Sequence, residues 1–451
     1  MKHKAAAGPH AADAIAAGSI AAASTAATST AAASTAAAST AAASIAAEVG
    51  ERLPAQFSGR RYLRLIEEQL AHLGALPGHG NRRVKLDHLV IAHLIAFFNP
   101  QVRGLRTIED LFEDRPLREL FGLPRLPKST VSDAQRVFDP ALLLPLVNDL
   151  RKRAGLRLPQ ARRRIHAGPL LDDLTRRLIA VDGTFLSVAG RIAWAIFNRS
   201  GKGAVRLHVQ FNVVEGLPDH VRLTHGQESE IRQLQQNLQP GQFYVMDRGF
   251  HDYTLLSRIL EKDSDFLLRL RRSAQATRLE ERCLSQADRD AGVCRDEVVE
   301  LGWRGDQTPR LPKLRLVQVQ FLDRHGRQQE LRLLTNRMDL PAWMIAMIYA
   351  HRWQVELFFR WLKCVAHFNH FFSESMQGMT LQVYITLIGL LLTALETGAK
   401  PSKYDYALIN AAVNGLIRME AALTIAARRR AERDRAREMR KMRAARLSKN
   451  A

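Results

Sequence analysis

Regular patterning of apolar and polar positions begins near Glu51. From Arg61 to Leu73 and again from Leu86 to Phe98, apolar residues recur at intervals of three and four, the spacing that lines one side of a helix packed on a core. Thr107 to Phe121 continues the pattern with a break at Pro116, and Pro127-Lys128-Ser129-Thr130 offers a hydroxyl N-cap to a helix running toward Val137. This stretch predicts an all-α domain. From Leu178 the period changes. Leu178 to Ser187, Arg206 to Val214, Phe243 to Asp247 and Phe266 to Leu270 are short runs rich in β-branched and aromatic residues, with helical stretches at Glu228 to Leu238 and Tyr253 to Leu260 between them. That alternation predicts an α/β layered domain. Between Arg271 and Arg337, polar turns separate Glu297 to Leu301, Leu314 to Phe321 and Glu330 to Leu334, a β-rich excursion inserted into the α/β domain. A long helix follows from about Pro341 to Phe368, with proline at its start, where the missing N–H costs nothing.

The most apolar stretch, Val383 to Leu395, is bounded by Gln382 and Glu396. It is shorter than the ~18 to 20 residues a bilayer crossing needs and predicts a buried helix, so no membrane partner is expected. At the N-terminus, Met1-Lys2-His3-Lys4 precedes an alanine-rich run like the start of a signal peptide, but Asp13 and the Ser/Thr content leave the run without an apolar centre. Between Gly18 and Ala47 the chain repeats with a period of five on Ser19, Ser24, Ser29, Ser34, Ser39 and Ser44. A step of five turns a helix by roughly 500°, so the repeat spirals around the axis and forms no apolar stripe. The segment reads as a dispensable low-complexity tail. The resulting organisation is a tail at 1–50, a helical domain at 51–170, an α/β core at 171–270 resumed at 338–400 with the long helix, a β-rich insertion at 271–337, and a helical basic tail at 401–451.

Charge narrows the range of partners. Lys and Arg number 66 against 45 Asp and Glu, a formal net charge of +21, which favours a polyanionic partner, with nucleic acid ahead of an anionic membrane surface. From Arg428 to Asn450 there are 11 basic and 3 acidic residues, 11 minus 3 giving +8 of that total. Such a tail is a solvated helical end or a non-specific phosphate contact. Lys128, Ser129, Thr130, Ser132 and Arg136 on a capped helix suit either plain helical packing or reading of DNA. Three cysteines, Cys283, Cys294 and Cys364, include no C-x-x-C pair and fit a reducing cytoplasm.

Three carboxylates carry the candidate chemistry. Asp182 in Ala180-Val181-Asp182-Gly183-Thr184 and Asp247 in Phe243-Tyr244-Val245-Met246-Asp247-Arg248-Gly249 each end an apolar run and precede glycine. These positions are expected at strand ends, where a carboxylate amid apolar neighbours costs several kcal/mol to desolvate unless paired or metal-bound. On the long helix, at about 100° per residue, Tyr349, Arg352, Glu356 and Lys363 fall within roughly 60° of one another, with Arg360 about 20° beyond the edge of the arc. Val355, Phe358 and Leu362 fall on the opposite side, available to the core. Read alone, the stripe is either a functional face or an amphipathic helix with an Arg352–Glu356 pair.

Taken together, these residues resemble the IS4-type family of bacterial insertion-sequence transposases. The family's Tyr-(2)-Arg-(3)-Glu-(6)-Lys spacing is met by Tyr349, Arg352, Glu356 and Lys363, its Asp-Gly-Ser/Thr strand by Asp182-Gly183-Thr184, and its Asp-Arg-Gly-Tyr/Phe by Asp247-Arg248-Gly249-Phe250. The likeness covers about Leu178 to Leu395. It implies an RNase H-like mixed-sheet core in which Asp182, Asp247 and Glu356 are catalytic and bind two Mg²⁺ ions. It also implies DNA contacts by Tyr349, Arg352, Lys363, Arg360 and the insertion's Trp303. The implied activity is cleavage and strand transfer at the terminal inverted repeats of double-stranded DNA, by a homodimer when the ends are paired, in the bacterial cytoplasm at the nucleoid. The alternatives are a catalytically silent DNA-binding repressor of the same descent and a plain two-metal nuclease.

Overall fold

A computed structural model describes residues 63, 65–76, 83–99, 102, 104–157, 177–188, 195, 203–302, 305, 309–322, 326–364, 371–398, 402–413 and 416–449. The period-five repeat and Trp303 lie outside them. The helical region comprises α1 (Glu67–Gly74), α2 (Leu86–Phe98), α3 (Leu105–Leu111), α4 (Arg115–Phe121), α5 (Lys128–Val137) and α6 (Leu144–Arg157). The helix breaks between α3 and α4, with Pro116 in the first turn of α4 and Asp114 capping it by accepting from the Leu117 N–H at 3.0 Å. At α5 the expected hydroxyl cap is replaced. Pro127 is the N-cap and makes no side-chain bond. Instead Glu109 Oε1, reaching from α3, accepts from the Lys128 N–H at 3.0 Å and sets negative charge against the helix's positive end.

The α/β region is built on one nine-stranded sheet. Its strands are β1 (Leu178–Val188), β2 (Gly203–Asn212), β3 (Leu217–His225), β4 (Phe243–Met246), β5 (Asp265–Arg269), β6 (Ala276–Glu281), β7 (Val293–Leu301), β8 (Leu314–Leu322) and β9 (Gln328–Thr335), in the order β3-β2-β1-β4-β5-β9-β8-β7-β6. β1, β2 and β3 are antiparallel neighbours, β1-β4-β5 run parallel, and β5-β9-β8-β7-β6 are antiparallel again. The segment that the periodicity sets apart as an insertion therefore continues the same sheet. β5 would otherwise present an unpaired edge, and β9 closes it through Leu267↔Thr335 and Leu268↔Leu334. Thr335 Oγ1 also donates to the Phe266 carbonyl at 2.6 Å.

Alternation along the parallel strands sorts the core into two faces. Leu178, Ala180, Phe243 and Val245 pack on one side with α10 (Ala342–His351) and α11 (Trp353–Cys364). Ile179, Val181, Tyr244 and Met246 pack on the other with α7 (Glu230–Gln236) and α8 (Tyr253–Glu261). A short helix, α9 (Gln286–Asp290), lies between β6 and β7. The expected Pro341–Phe368 helix is interrupted. Pro341 is the N-cap outside α10, and at Arg352 the bonds tighten to three-residue spacing, with Arg352 N–H to the Tyr349 carbonyl at 3.0 Å and Val355 N–H to the Arg352 carbonyl at 3.1 Å.

The apolar helix is longer than its most apolar stretch. It is α12 (Met376–Thr397), 22 residues in all. By length and composition it could cross a bilayer, yet most of it is buried inside the protein. Met379, Val383, Leu387 and Leu390 face the sheet core, whereas Leu381, Ile385, Ile388 and Leu392 join a second core with α1–α6. Gly389 permits that second contact, because a Cβ there would lie 2.5 Å from the Phe97 ring of α2. The chain continues through α13 (Lys403–Val413) and the basic α14 (Met419–Lys449), whose Ala422 and Ala426 are buried and whose later described side chains are largely exposed.

Candidate active site

The register of the parallel strands brings the two aspartates together. β1 and β4 pair up to Val181↔Met246, so Asp182 and Asp247 each occupy the next position on neighbouring strands, which in a regular sheet lie about 4.8 Å apart. Asp247 stands at its strand end as expected. Asp182 does not: β1 runs on through Gly183 to Val188, with Asp182 opposite Val209 of β2. What ends at this level is the parallel ladder with β4, and that leaves one flank of β1 open beyond Val181.

α10 and α11 deliver the third carboxylate to the same rim. Val355, Phe358 and Leu362 are buried against the sheet, so the opposite stripe faces the aspartates. Arg352 Nη1 donates to Asp182 Oδ2 at 3.3 Å and Nη2 to Glu356 Oε1 at 2.5 Å. One guanidinium thus joins the β1 aspartate to the helix glutamate. Tyr349, itself buried, donates from Oη to Asp247 Oδ1 at 3.2 Å. Lys363 Nζ donates to Thr184 Oγ1 at 2.6 Å and so lies along β1 two residues past Asp182. Arg360 is exposed on α11.

The electrostatics follow from burial. Desolvation pushes the Asp182 carboxyl up to about 6, against the Gly183 N–H and Arg352, which favour the anion, and with the charges of Glu230 and Glu356, which oppose it. Burial and the Asp247 charge raise the Tyr349 phenol to about 12, so it donates to Asp247 as a neutral hydroxyl. Burial works against the Arg352 cation, but the bond to Glu356 and the charges of Asp182 and Glu356 outweigh it and raise its pKa.

Two charged residues at this rim escape a reading of spacing alone. Arg269 Nη1 lies 3.7 Å from Asp247 Oδ1. The β4–β5 register, ending at Met246↔Leu268, places it level with Asp247, and its sequence signal was a lone charge in the apolar run Phe266-Leu267-Leu268-Arg269-Leu270. Glu230 of α7 faces Gly183 from the other side of the sheet, and nothing in its local sequence marks it. Of the long helix's two histidines, His351 engages the Met347 carbonyl at 2.8 Å, and His367 lies outside the described residues.

Among the described residues, no three Asp, Glu, His or Cys side chains stand close enough together to enclose a metal ion. The donors are oxygen atoms of the chemical kind that a hard divalent cation takes. Asp182, Asp247 and Glu356 offer carboxylate oxygens at one rim, and a cationic guanidinium bridges two of them.

This arrangement sets paired acidic strand positions beside a Tyr-Arg-Glu-Lys helix. Residues 173–392, which contain all of it, match the family model described as the transposase DDE domain. The "Probable transposase for insertion sequence element IS5377" of Geobacillus stearothermophilus is 26% identical over 275 residues, covering 60% of this chain and 68% of that one. The protein y4zB of Sinorhizobium fredii, named as a transposase, is 27% identical over 230 residues, 49% of this chain and 63% of its own. A Synechocystis protein, named as a transposase for insertion sequence element IS4SA, is 22% identical over 278 residues, 59% of this chain and 71% of its own. Through this stretch the chain is similar to the DDE transposases of insertion sequences.

Proposed function

We propose that this chain is a transposase that binds insertion-sequence ends and carries out metal-dependent cleavage and strand transfer of DNA, with Asp182, Asp247 and Glu356 as its catalytic and metal-binding triad. The observation that carries the proposal is the level placement of Asp182 and Asp247 on adjacent parallel strands, with Glu356 linked to Asp182 through one guanidinium. The order β3-β2-β1-β4-β5, three antiparallel strands followed by two parallel ones, supports an RNase H-like core extended by β6–β9. The net charge of +21 supports a DNA partner.

Two Mg²⁺ ions, when bound, would stabilise the attacking and leaving oxygens of an in-line phosphoryl transfer. The chain's own side chains hold and align the backbone. Arg352 and Lys363 present cations beside Asp182 and Thr184, where they hold phosphates without reading sequence. Tyr349 fixes Asp247 through its hydroxyl, and Arg360 offers an exposed charge further along α11. Trp303, which lies outside the described residues, would add a stacking surface for a base, as the family resemblance implies. Because two ends must be handled together, the working form is a homodimer on paired ends, in the bacterial cytoplasm at the nucleoid.

The test incubates the full chain with a labelled end fragment, Mg²⁺ and a target plasmid. Cleaved and joined products are expected. Binding without nicking selects a repressor, and nicking without joining selects a plain nuclease; either outcome overturns the proposal.

A further inference from the structure

We infer that the basic helix α14 is a second, sequence-independent contact to the phosphate backbone of duplex DNA, made through a stripe of Arg429, Arg433 and Arg440; the inference rests on the DNA-directed reading above. The helix has two unlike parts. Its first turns are anchored: Ala422 and Ala426 are buried, Leu423 packs on the helical core, and Arg430 Nη1 donates to the Thr397 carbonyl at the end of α12 at 2.9 Å. Past Arg430 the helix runs on to Lys449, 449 minus 430 giving 19 further residues, or roughly 28 Å.

Nothing in that outer part serves a core. Its described large apolar side chains are Met439 and Met442, each more than half exposed. A coiled-coil seam needs an apolar residue every three or four positions, and a membrane-surface helix needs a whole apolar face. The outer part is held by its own composition instead. Ala, Arg, Glu, Met and Lys, all strong helix formers, fill most of it, and Arg433 Nε and Arg435 Nε donate back to the carbonyls of Arg429 and Ala431 at 3.3 and 3.4 Å.

What it presents is charge, and the charge is sorted by face. At about 100° per residue, Arg429, Arg433 and Arg440 fall within roughly 40° of one another, whereas Glu432, Asp434 and Glu438 each fall about 60° or more outside that arc. Glu432 lies 3.9 Å from Arg428 on the neighbouring flank. All three stripe arginines are exposed, and among the described residues none of them makes an ion pair. A row of exposed cations with no acid on its face is matched by a polyanion that releases counterions on binding. Guanidinium groups on phosphates hold a duplex without reading it. The outer part is as long as about eight base pairs at 3.4 Å each, enough to engage several phosphates.

The experiment measures binding of the full chain to a random duplex and to an end fragment by fluorescence anisotropy over a series of KCl concentrations. It compares wild type, R429Q/R433Q/R440Q and a control, R115Q/R278Q/R310Q, which loses the same formal charge at exposed sites elsewhere; circular dichroism verifies folding. The α14 variant is expected to reduce the slope of log affinity against log salt by about 2 to 3, since each phosphate contact contributes about 0.9, and to weaken both duplexes alike. The control should keep the wild-type slope. Should the α14 variant misfold, a chain ending at Ala431, which keeps the Arg430 anchor, decides in its place. An unchanged slope, an equal fall in the control, or a loss confined to the end fragment overturns the inference. So does binding lost only to phosphatidylserine vesicles, which would make the stripe a membrane contact. A reduced slope in a protein that never nicks DNA leaves this inference standing and overturns the cleavage reading, whereas a wild type that binds no duplex overturns both.

Discussion

Two arginine–carboxylate clusters lie in the one sheet, and they are built in opposite ways. In the β6–β9 extension, Arg315 of β8 is fully buried and binds Asp296 of β7 through two parallel bonds, Nε to Oδ1 at 2.8 Å and Nη2 to Oδ2 at 2.7 Å. Its remaining N–H group reaches the carbonyls of Arg337 and Leu340 just before α10. At the candidate active site, Arg352 gives one bond each to two carboxylates that keep about a quarter of their side-chain surface in solvent, 24% for Asp182 and 29% for Glu356. The first cluster is closed, since a lost partner would strand a charge where water cannot follow. The second is open, since water or a cation can take over from the guanidinium at either carboxylate. The closed pair secures the start of α10, and the open one lies where α10 and α11 present their polar face.

The sharpest break of this contrast is catalytic. Asp182→Ala, Asp247→Ala and Glu356→Ala are each expected to abolish end cleavage while leaving DNA binding in place, a larger loss than the roughly 10- to 100-fold typical of a residue that merely supports a metal ligand. Gel-shift and nicking assays on one labelled fragment check both halves, and ordinary nicking by any of the three would remove that residue from the triad.

In the closed cluster the effect falls on stability. Arg315→Met alone should cost about 3 kcal/mol by leaving Asp296 buried with only the more distant Arg282, 3.7 Å away, beside it, and adding Asp296→Leu should recover much of it. Urea unfolding of the two variants decides, and equal stabilities would mean that the pair is not held as described.

A smaller effect of opposite sign is expected in the open cluster without metal. Folding raises the Asp182 carboxyl from 3.8 to about 6, so between those values the native state holds more proton than the unfolded chain. Stability therefore falls as pH rises through that window and stays lower above it. Asp182→Asn should then stabilise the protein at pH 7 by about 1–2 kcal/mol, after allowance for solvent screening, and hardly at all near pH 4. Urea melts in EDTA at the two pH values measure this, and a destabilised variant at pH 7 would contradict the burial argument. The smallest effect is expected from removing residues 1–50, which should leave both stability and nicking within error, whereas an inactive truncation would give the repeat a role.

Much of the site was legible because its parts obey local rules. Leu86 to Phe98 forms α2 with the predicted bounds, and the apolar runs around Asp182 and Asp247 form strands. The spacing of Tyr349, Arg352, Glu356 and Lys363 survives the tightened turn at Arg352, because three-residue bonds overwind the helix without reversing its face. β3 and β6 were not legible. β3, Leu217–His225, places Pro218, Asp219 and His220 in its first half, and β6, Ala276–Glu281, is mostly polar and exposed. Both are outermost in the sheet order, and an edge strand draws its stability from a neighbour's open ladder more than from its own pattern.

By itself the sequence determined the period of each element, the excess of positive charge and the spacing of the Tyr-Arg-Glu-Lys stripe, since all of these follow from bonds and contacts within a few turns of chain. Only the tertiary structure decided that Asp182 and Asp247 stand level, that β6–β9 extend the sheet instead of forming a separate unit, and that Glu230 meets Gly183 from the opposite face. Each of these depends on which backbone edges pair and which faces are covered, and that is settled by burial and hydrogen-bond satisfaction between segments 47 to 170 residues apart.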